Sequence, residues 1–190
     1  MKSESSESFI FEENAKDPSE EERADWIWKK GTNTVFDSEP EYNWVGLREE
    51  GKGIDPEEVT RDNILNLAEK YGIPSGKWVL DRTRSEIDRE WDRVLDMMEE
   101  EDVYASKVST KRQSDGHSGP GIPEEDRSHI VCIYTEDFRN REDVERVLEA
   151  LENYDISNVK GYKEDIKTVL GIYSDNGRVD EFLYTPEDFD

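Results

Sequence analysis

The chain has 190 residues, of which 33% are apolar and 39% charged, and 49 Asp+Glu stand against 25 Lys+Arg for a formal net charge of -24. That length fits one ordinary domain with a tail, and the charge disfavours broad nucleic-acid binding because phosphates meet a negative surface. One cysteine, Cys132, excludes an internal disulfide and a cysteine-built zinc cage.

Residues 1–25 read as an acidic, disordered leader rich in Ser and Glu. Its only apolar knot is Phe9, Ile10 and Phe11, which offers the alternative that the leader docks on the body. Residues 26–190 read as a single α+β domain. Five Trp and eight Tyr are too many for a solvating tail. Trp26, Trp28, Val35, Phe36, Tyr42, Trp44, Val45 and Leu47 fall among Gly, Asn and Pro, predicting short strands and loops. Asp55-Pro56 starts a helix that carries Ile64, Leu65, Ala68 and Tyr71 on one face. Gly72 supplies its left-handed cap, Ile73 the hydrophobic contact and Pro74 the stop.

Lys77 to Leu80 reads as a strand, and Thr83 with Glu86 has capping-box spacing. Ile87, Trp91, Val94, Leu95 and Met98 recur at helical spacing, predicting an amphipathic helix over 84–100 with an acidic outer face. Val103 to Ser109 is a strand, 110–127 a polar loop, and His129 to Thr135 an apolar central strand. Residues 141–153 form a second amphipathic helix striped by Val144, Val147, Leu148 and Leu151. Thr168 to Tyr173 is read as a strand, turned by Asp175-Asn176-Gly177 into Val179 to Tyr184. Strands and helices in this order predict a mixed sheet covered by helices on one face.

The carboxylates are spread over nearly the whole chain, the pattern of a halophilic surface tuned to high cytoplasmic salt. No apolar run is long enough to span a membrane, and no signal-peptide pattern precedes the body. The expectation is a cytoplasmic protein with no membrane partner, no metal and no cofactor.

Five landmarks in sequence carry a resemblance. They are Ser75-Gly76-Lys77-Trp78-Val79-Leu80, Asp88 with Trp91, Ser106-Lys107-Val108-Ser109, His129 to Phe138, and Tyr162 to Tyr173. Their order over roughly 42–186 resembles the basophilic leukaemia-expressed protein family. The resemblance implies a fold like that of the cap-binding translation initiation factor 4E: a curved, mostly antiparallel sheet with about three helices on its convex face. It also implies a phosphate-binding role for basic residues on the strand and loop after the second helix, here Lys107, Lys111 and Arg112. The stretch matching one tryptophan of that factor's base clamp, Glu69 to Gly76, has no Trp, so cap binding does not carry over. Relatives from archaea carry the label phosphothreonine lyase.

Val103 to Pro123 is the one long run that is not acidic. Strand alternation puts Ala105, Lys107 and Ser109 on one small, polar face, away from the helices. Lys107, Lys111 and Arg112, with Lys77 beside Trp78, are the expected ligands for a phosphorylated small molecule, nucleotide or phosphopeptide. Lys163 is a weaker candidate of the same kind. The alternative is a phosphothreonine-lyase-like enzyme with Lys107 as base, His117 as acid and Arg112 on the phosphate. A third reading is a protein-interaction adaptor that uses the helical side. His129 is expected to be a hydrogen-bonded residue at the opening of a buried strand, and Cys132 a core residue.

Overall fold

A computed structural model describes residues 8–34, 59–172 and 179–190. The strands are β1 (Phe9–Phe11), β2 (Trp26–Lys30), β3 (Gly76–Thr83), β4 (Ala105–Ser109), β5 (Ser128–Thr135) and β6 (Gly161–Glu164). The helices are α1 (Ile64–Tyr71), α2 (Arg84–Glu100), α3 (Lys111–His117), α4 (Arg141–Asn153) and α5 (Asp165–Val169). The strands make one open sheet in the order β1-β2-β4-β5-β3-β6. Every pairing is antiparallel except β1 on β2. The class is α+β, as the sequence predicts.

The crossovers follow from that order. β5 lies between β3 and β4 and is antiparallel to both, so β3 and β4 run the same way. Parallel strands need a long connection, which α2 supplies. β3 likewise lies between β5 and β6, and α4 carries the chain across. Both helices pack on one face of the sheet. Ile87, Trp91, Val94 and Met97 of α2 meet Trp78, Leu80, Val131 and Ile133 of the strands, with Val144, Val147 and Leu151 of α4 beside them. Trp78 is fully buried there, and its indole N–H donates to the Val144 carbonyl at 2.9 Å, so the one polar atom of a large apolar ring is satisfied.

The local signals at helix ends act as the sequence indicates. At the N-terminus of α2 the Thr83 amide donates to Glu86 Oε2 at 3.1 Å, completing the capping box. At the C-terminus of α1 Gly72 takes φ 65°, and the Ile73 and Gly72 amides reach the Ala68 and Glu69 carbonyls at 2.9 and 3.2 Å. That is a Schellman cap, closing carbonyls left without intrahelical partners.

Three expectations are corrected. The acidic leader is built into the fold from residue 8 onward, since Phe9–Phe11 extends the sheet edge along Trp26–Trp28. Apolar contact drives this: Phe9 and Phe11 lie edge to face at 5.5 Å and pack on the cluster around Trp26 and Trp28. Residues 111–117 are helical because Thr110 is an N-cap whose hydroxyl accepts the Gln113 amide at 3.3 Å. The apolar stretch read as a strand at Thr168 begins in the last turn of α5, and the strand here is the shorter, more polar Gly161–Glu164. Ile166, Val169 and Leu170 follow helical spacing and turn into the core cluster. Val179 to Tyr184 contributes a single bridge, Tyr184 on Tyr162. The Asp175-Asn176-Gly177 turn, Tyr173 and the 35–58 section lie outside the described residues.

Thr83→Ala removes the α2 cap and is expected to lower unfolding stability by about 1 kcal/mol. Urea denaturation with an unchanged slope checks it; a midpoint equal to that of the parent would show that the cap contributes nothing.

Candidate functional site

Side chains alternate along each strand, so the register decides which residues meet on the face opposite the core helices. One row across the sheet reads Trp28, Lys107, Cys132, Val79 and Gly161. The next reads Lys30, Ala105, Tyr134, Lys77 and Lys163. Lysines from β3, β4 and β6 thus share a face with Trp26, Trp28 and Tyr134. Lys77, Lys107 and Lys163 are only 5, 6 and 3% exposed, far from the ordinary state of a lysine.

Each ammonium group has a stated compensation. Lys107 Nζ lies 3.9 Å from the Trp26 ring centroid and 5.2 Å from that of Trp28. The negative ring faces stabilise the charge by about 2 kcal/mol at a desolvated site. Trp28 stacks on Tyr134 at 5.1 Å and 25°, so the two rings form a continuous apolar surface. Lys77 Nζ donates to Asp165 Oδ1 at 2.6 Å and to Thr168 Oγ1 at 3.0 Å, and lies 5.5 Å from the Tyr134 ring. Asp165 is held in turn by the Ser75 hydroxyl at 2.6 Å. Lys163 Nζ donates to the Ile172 carbonyl at 2.6 Å and meets Glu181 at 3.3 Å.

The field on this face moves its titratable groups. Burial pulls the Lys163 ammonium below the usual lysine range, with Glu181 opposing and Lys77 reinforcing the shift. Burial pushes the Cys132 thiol up against the opposite pull of Lys107 and Lys77. Cys132 is 3% exposed and neutral there, the condition of a packing residue rather than a nucleophile.

The cations expected from the sequence divide into two groups. Lys107 and Lys77 lie together on this face, although Trp78 is not the aromatic neighbour of Lys77. Adjacent residues of a strand point to opposite faces, and Tyr134 takes that place. Lys111 and Arg112 do not join them. Lys111 Nζ meets Glu22 at 2.6 Å and Glu124 at 3.7 Å, and Arg112 Nε meets Asp25 at 3.3 Å. The Lys111 and Arg112 amides also donate to the Pro18 and Glu21 carbonyls. The least acidic part of the chain therefore grips the acidic N-terminal segment. His117 is exposed at the end of α3, its Nδ1 on the Gln113 carbonyl at 2.9 Å. His129 is fully buried, with Nδ1 on the Ser109 carbonyl at 2.8 Å and Nε2 accepting from Arg84 Nε at 3.3 Å; burial lowers its pKa. Trp44 lies outside the described residues.

Trp26, Tyr134 and Asp165 were not singled out by sequence reasoning. Two-residue alternation along β2 and β5 carries the first two, but only knowledge of strand order joins them to Lys107. Asp165 opens a helix and reaches Lys77 across 88 positions of sequence, which no local pattern encodes.

Among the described residues, no helix is long and apolar enough to cross a membrane. The fold is an α+β sheet with helices packed on one face and a lysine–aromatic cluster on the other. Residues 4–171 match the family described as Basophilic leukemia-expressed protein Bles03, and the chain belongs to that family.

The N-terminal grip is acid-sensitive. Glu21 is buried and accepts from the Arg23 guanidinium at 2.6 and 2.9 Å and from the Lys16 and Arg23 amides. The Arg23 hydrogen bonds, followed by those amides, lower its pKa from 4.5 to about 2 against the cost of burial. Because the folded value lies below the unfolded one, the stabilisation is full above pH 4.5 and is lost as pH falls toward 2. Glu21→Gln is expected to flatten the acid limb of stability over that window. An unaltered limb in equilibrium unfolding across pH would remove Glu21 from the account.

Proposed function

We propose that this chain is a binding module for a phosphorylated, nucleotide-like ligand, taken on the sheet face that carries Lys77, Lys107 and Lys163. The observation that carries the reading is the burial of these lysines together, on one face, against Trp26, Trp28 and Tyr134. On a chain of net charge -24, a local excess of ammonium groups is where an anion gains most. Lysine acts as a point charge toward phosphate, and an indole or phenol ring offers a stacking surface to a base. Asp165 positions Lys77, and the Trp26 and Trp28 rings position Lys107, so both charges are set before a ligand arrives.

The chain order supports the same reading. Lys107 sits on the strand after the long helix α2, where the resemblance to the cap-binding factor puts phosphate contacts. Lys111 and Arg112 leave the proposal, because they sit on α3 rather than on this sheet face, where Glu22 and Asp25 hold them. The parts of a phospholyase occupy different environments: Lys107 is buried, His117 is exposed, and Arg112 is on Asp25. Nothing in this arrangement favours that chemistry.

Calorimetric titration with adenosine and guanosine mono-, di- and triphosphates and with phosphothreonine peptides tests the module. At least one nucleotide is expected to bind saturably. Lys107→Ala and Lys77→Ala are each expected to weaken it by roughly tenfold or more, the worth of one charge-assisted contact. Lys111→Ala should leave it unchanged, and circular dichroism separates lost binding from lost folding. Silence from every probe with the parent protein sinks the proposal, and equal loss in Lys111→Ala moves the site to α3.

We further infer that the acidic surface is adapted to high salt. Screening relieves repulsion among the carboxylates, so the melting temperature is expected to rise from dilute buffer to molar salt. A melting temperature independent of salt would end this inference.

A further inference from the structure

His129 stands at the start of β5, and its contacts fix its charge. A carbonyl oxygen only accepts, so Nδ1, 2.8 Å from the Ser109 carbonyl, carries the ring hydrogen. A guanidinium only donates, so Nε2, 3.3 Å from Arg84 Nε, holds the lone pair. The folded ring is therefore neutral, with both nitrogens engaged. A proton added at Nε2 would set N–H against N–H and cation against cation in a site closed to water. Burial first, and Arg84 with it, keeps the ring pKa below its ordinary 6.5, while the Ser109 carbonyl opposes the shift.

Arg84 opens α2 and joins three elements. It donates to Asp115 of α3 at 2.5 Å, to Glu124 in the turn before β5 at 3.1 Å and to the Lys111 carbonyl at 3.5 Å. The nearby acids are already taken. Asp115 is shared with Arg127 at 2.7 Å, and Asp88 on the next turn of α2 accepts from Ser19. Arg82, the cross-strand neighbour of His129 on β3, is held by Glu90. Lys111 lies between Glu22 and Glu124. An imidazolium here would meet no carboxylate without a prior partner.

What Arg84 holds is weakly held otherwise. Among the described residues, no side chain of α3 enters the helix-side core or the Trp26 cluster. Ser114 Oγ on α3 and Arg127 Nε are buried without a hydrogen bond, and water reaching them would satisfy both. An element fixed by polar contacts rather than apolar ones opens at lower cost than the core. In turn α3 carries the N-terminal segment. The Lys111 and Arg112 amides donate to the Pro18 and Glu21 carbonyls, and the Thr110 hydroxyl donates to the Ala24 carbonyl at 2.5 Å.

We propose that His129 and Arg84 form an acid-operated latch, in which a solvent proton on His129 Nε2 expels Arg84 and frees α3, with residues 18–22, from a sheet that stays folded. Above pH 6.5 neither the closed nor the open state takes the proton, and the latch is shut. Below that value the open state takes it first, because only there is the ring solvated, so opening gains as pH falls. The latch needs no ligand and stands independently of the nucleotide reading.

Nuclear magnetic resonance from about pH 8 to about pH 5 tests it, since histidine is the side chain that titrates there. His117 is the only other histidine, so two sets of ring signals are followed. The His129 ring is expected to titrate below 6.5. Hydrogen-exchange protection of the Lys111, Arg112 and Gln113 amides, corrected for the intrinsic rate, is expected to fall about tenfold or more with the same midpoint. The Leu148 and Leu151 amides of α4 should keep theirs. His129→Gln offers Arg84 an acceptor and cannot take the charge, so its α3 amides should stay protected throughout. Glu22→Gln, at an exposed acid, should leave the midpoint in place. Circular dichroism at neutral pH verifies folding; if His129→Gln does not fold, the coincidence of ring and α3 midpoints in the parent decides alone. A protonated His129 beside protected α3 amides, α3 opening with the ring still neutral, or the same opening in folded His129→Gln would overturn the proposal. So would loss of α4 protection at that midpoint, which is ordinary acid unfolding.

Discussion

A lysine ammonium group cannot be withdrawn from water without something to replace its hydration, and much of this molecule is organised around three that are withdrawn. The replacements differ in kind. Lys107 receives two indole faces, Lys77 a carboxylate and a hydroxyl, and Lys163 a backbone carbonyl with a second carboxylate. Each fixes an element of the fold. Lys107 ties β4 to β2, Lys77 ties β3 to α5, and Lys163 ties β6 to Ile172 and the C-terminal stretch. Removing either member of the Lys77–Asp165 pair strands the other in a poorly solvating interior, which costs about 3–5 kcal/mol. The same constraint that stabilises the sheet therefore concentrates positive charge on one of its faces.

The remaining cations follow a second logic. On a chain where acids outnumber bases 49 to 25, a basic side chain rarely lacks a carboxylate within reach. Lys111, Arg112 and Arg23 bind acids of residues 21–25, and Arg84 bridges Asp115 and Glu124 while touching His129. The exposed pairs among these, such as Lys111 with Glu22, contribute little one by one, about 0–1 kcal/mol. Their value here is positional, because they lay the N-terminal segment across the start of α3. The Ser19 amide and hydroxyl add bonds to Asp88 of α2. Phe9–Phe11 is thereby delivered to the edge of β2, where apolar contact with the Trp26 cluster takes over.

How much of this was legible in the sequence depends on the range of the interaction. Helices α2 and α4, the capping box and the Schellman cap were readable, since each is encoded within a few residues by periodicity or end signals. The face of Lys107 was readable from alternation, because a small, polar set cannot be the side that packs under helices. The fate of Lys111 and Arg112 was not. Local charge counting marked them as available to an anion, whereas acids about 90 positions away in sequence engage them. Strand β6 escaped because Gly-Tyr-Lys-Glu carries no hydrophobic alternation. Its two charged residues look like a loop until each is seen to have a buried partner.

That short strand joins the two chemistries of the molecule. Lys163 and Glu164 are consecutive, so the pleat sends one to the lysine–aromatic face and the other to the helix side, where Lys167 meets it. One turn later the division repeats: Asp165 and Thr168 reach Lys77, while Lys167 returns to Glu164. Gly161 is required at the head of this segment, since a Cβ there would overlap the Phe182 ring that lies over it. A displacement of residues 161–169 therefore shifts charges on both faces at once. Substitutions within the segment would perturb both faces together, and only a residue outside it, such as Lys107 on β4, can change one face alone.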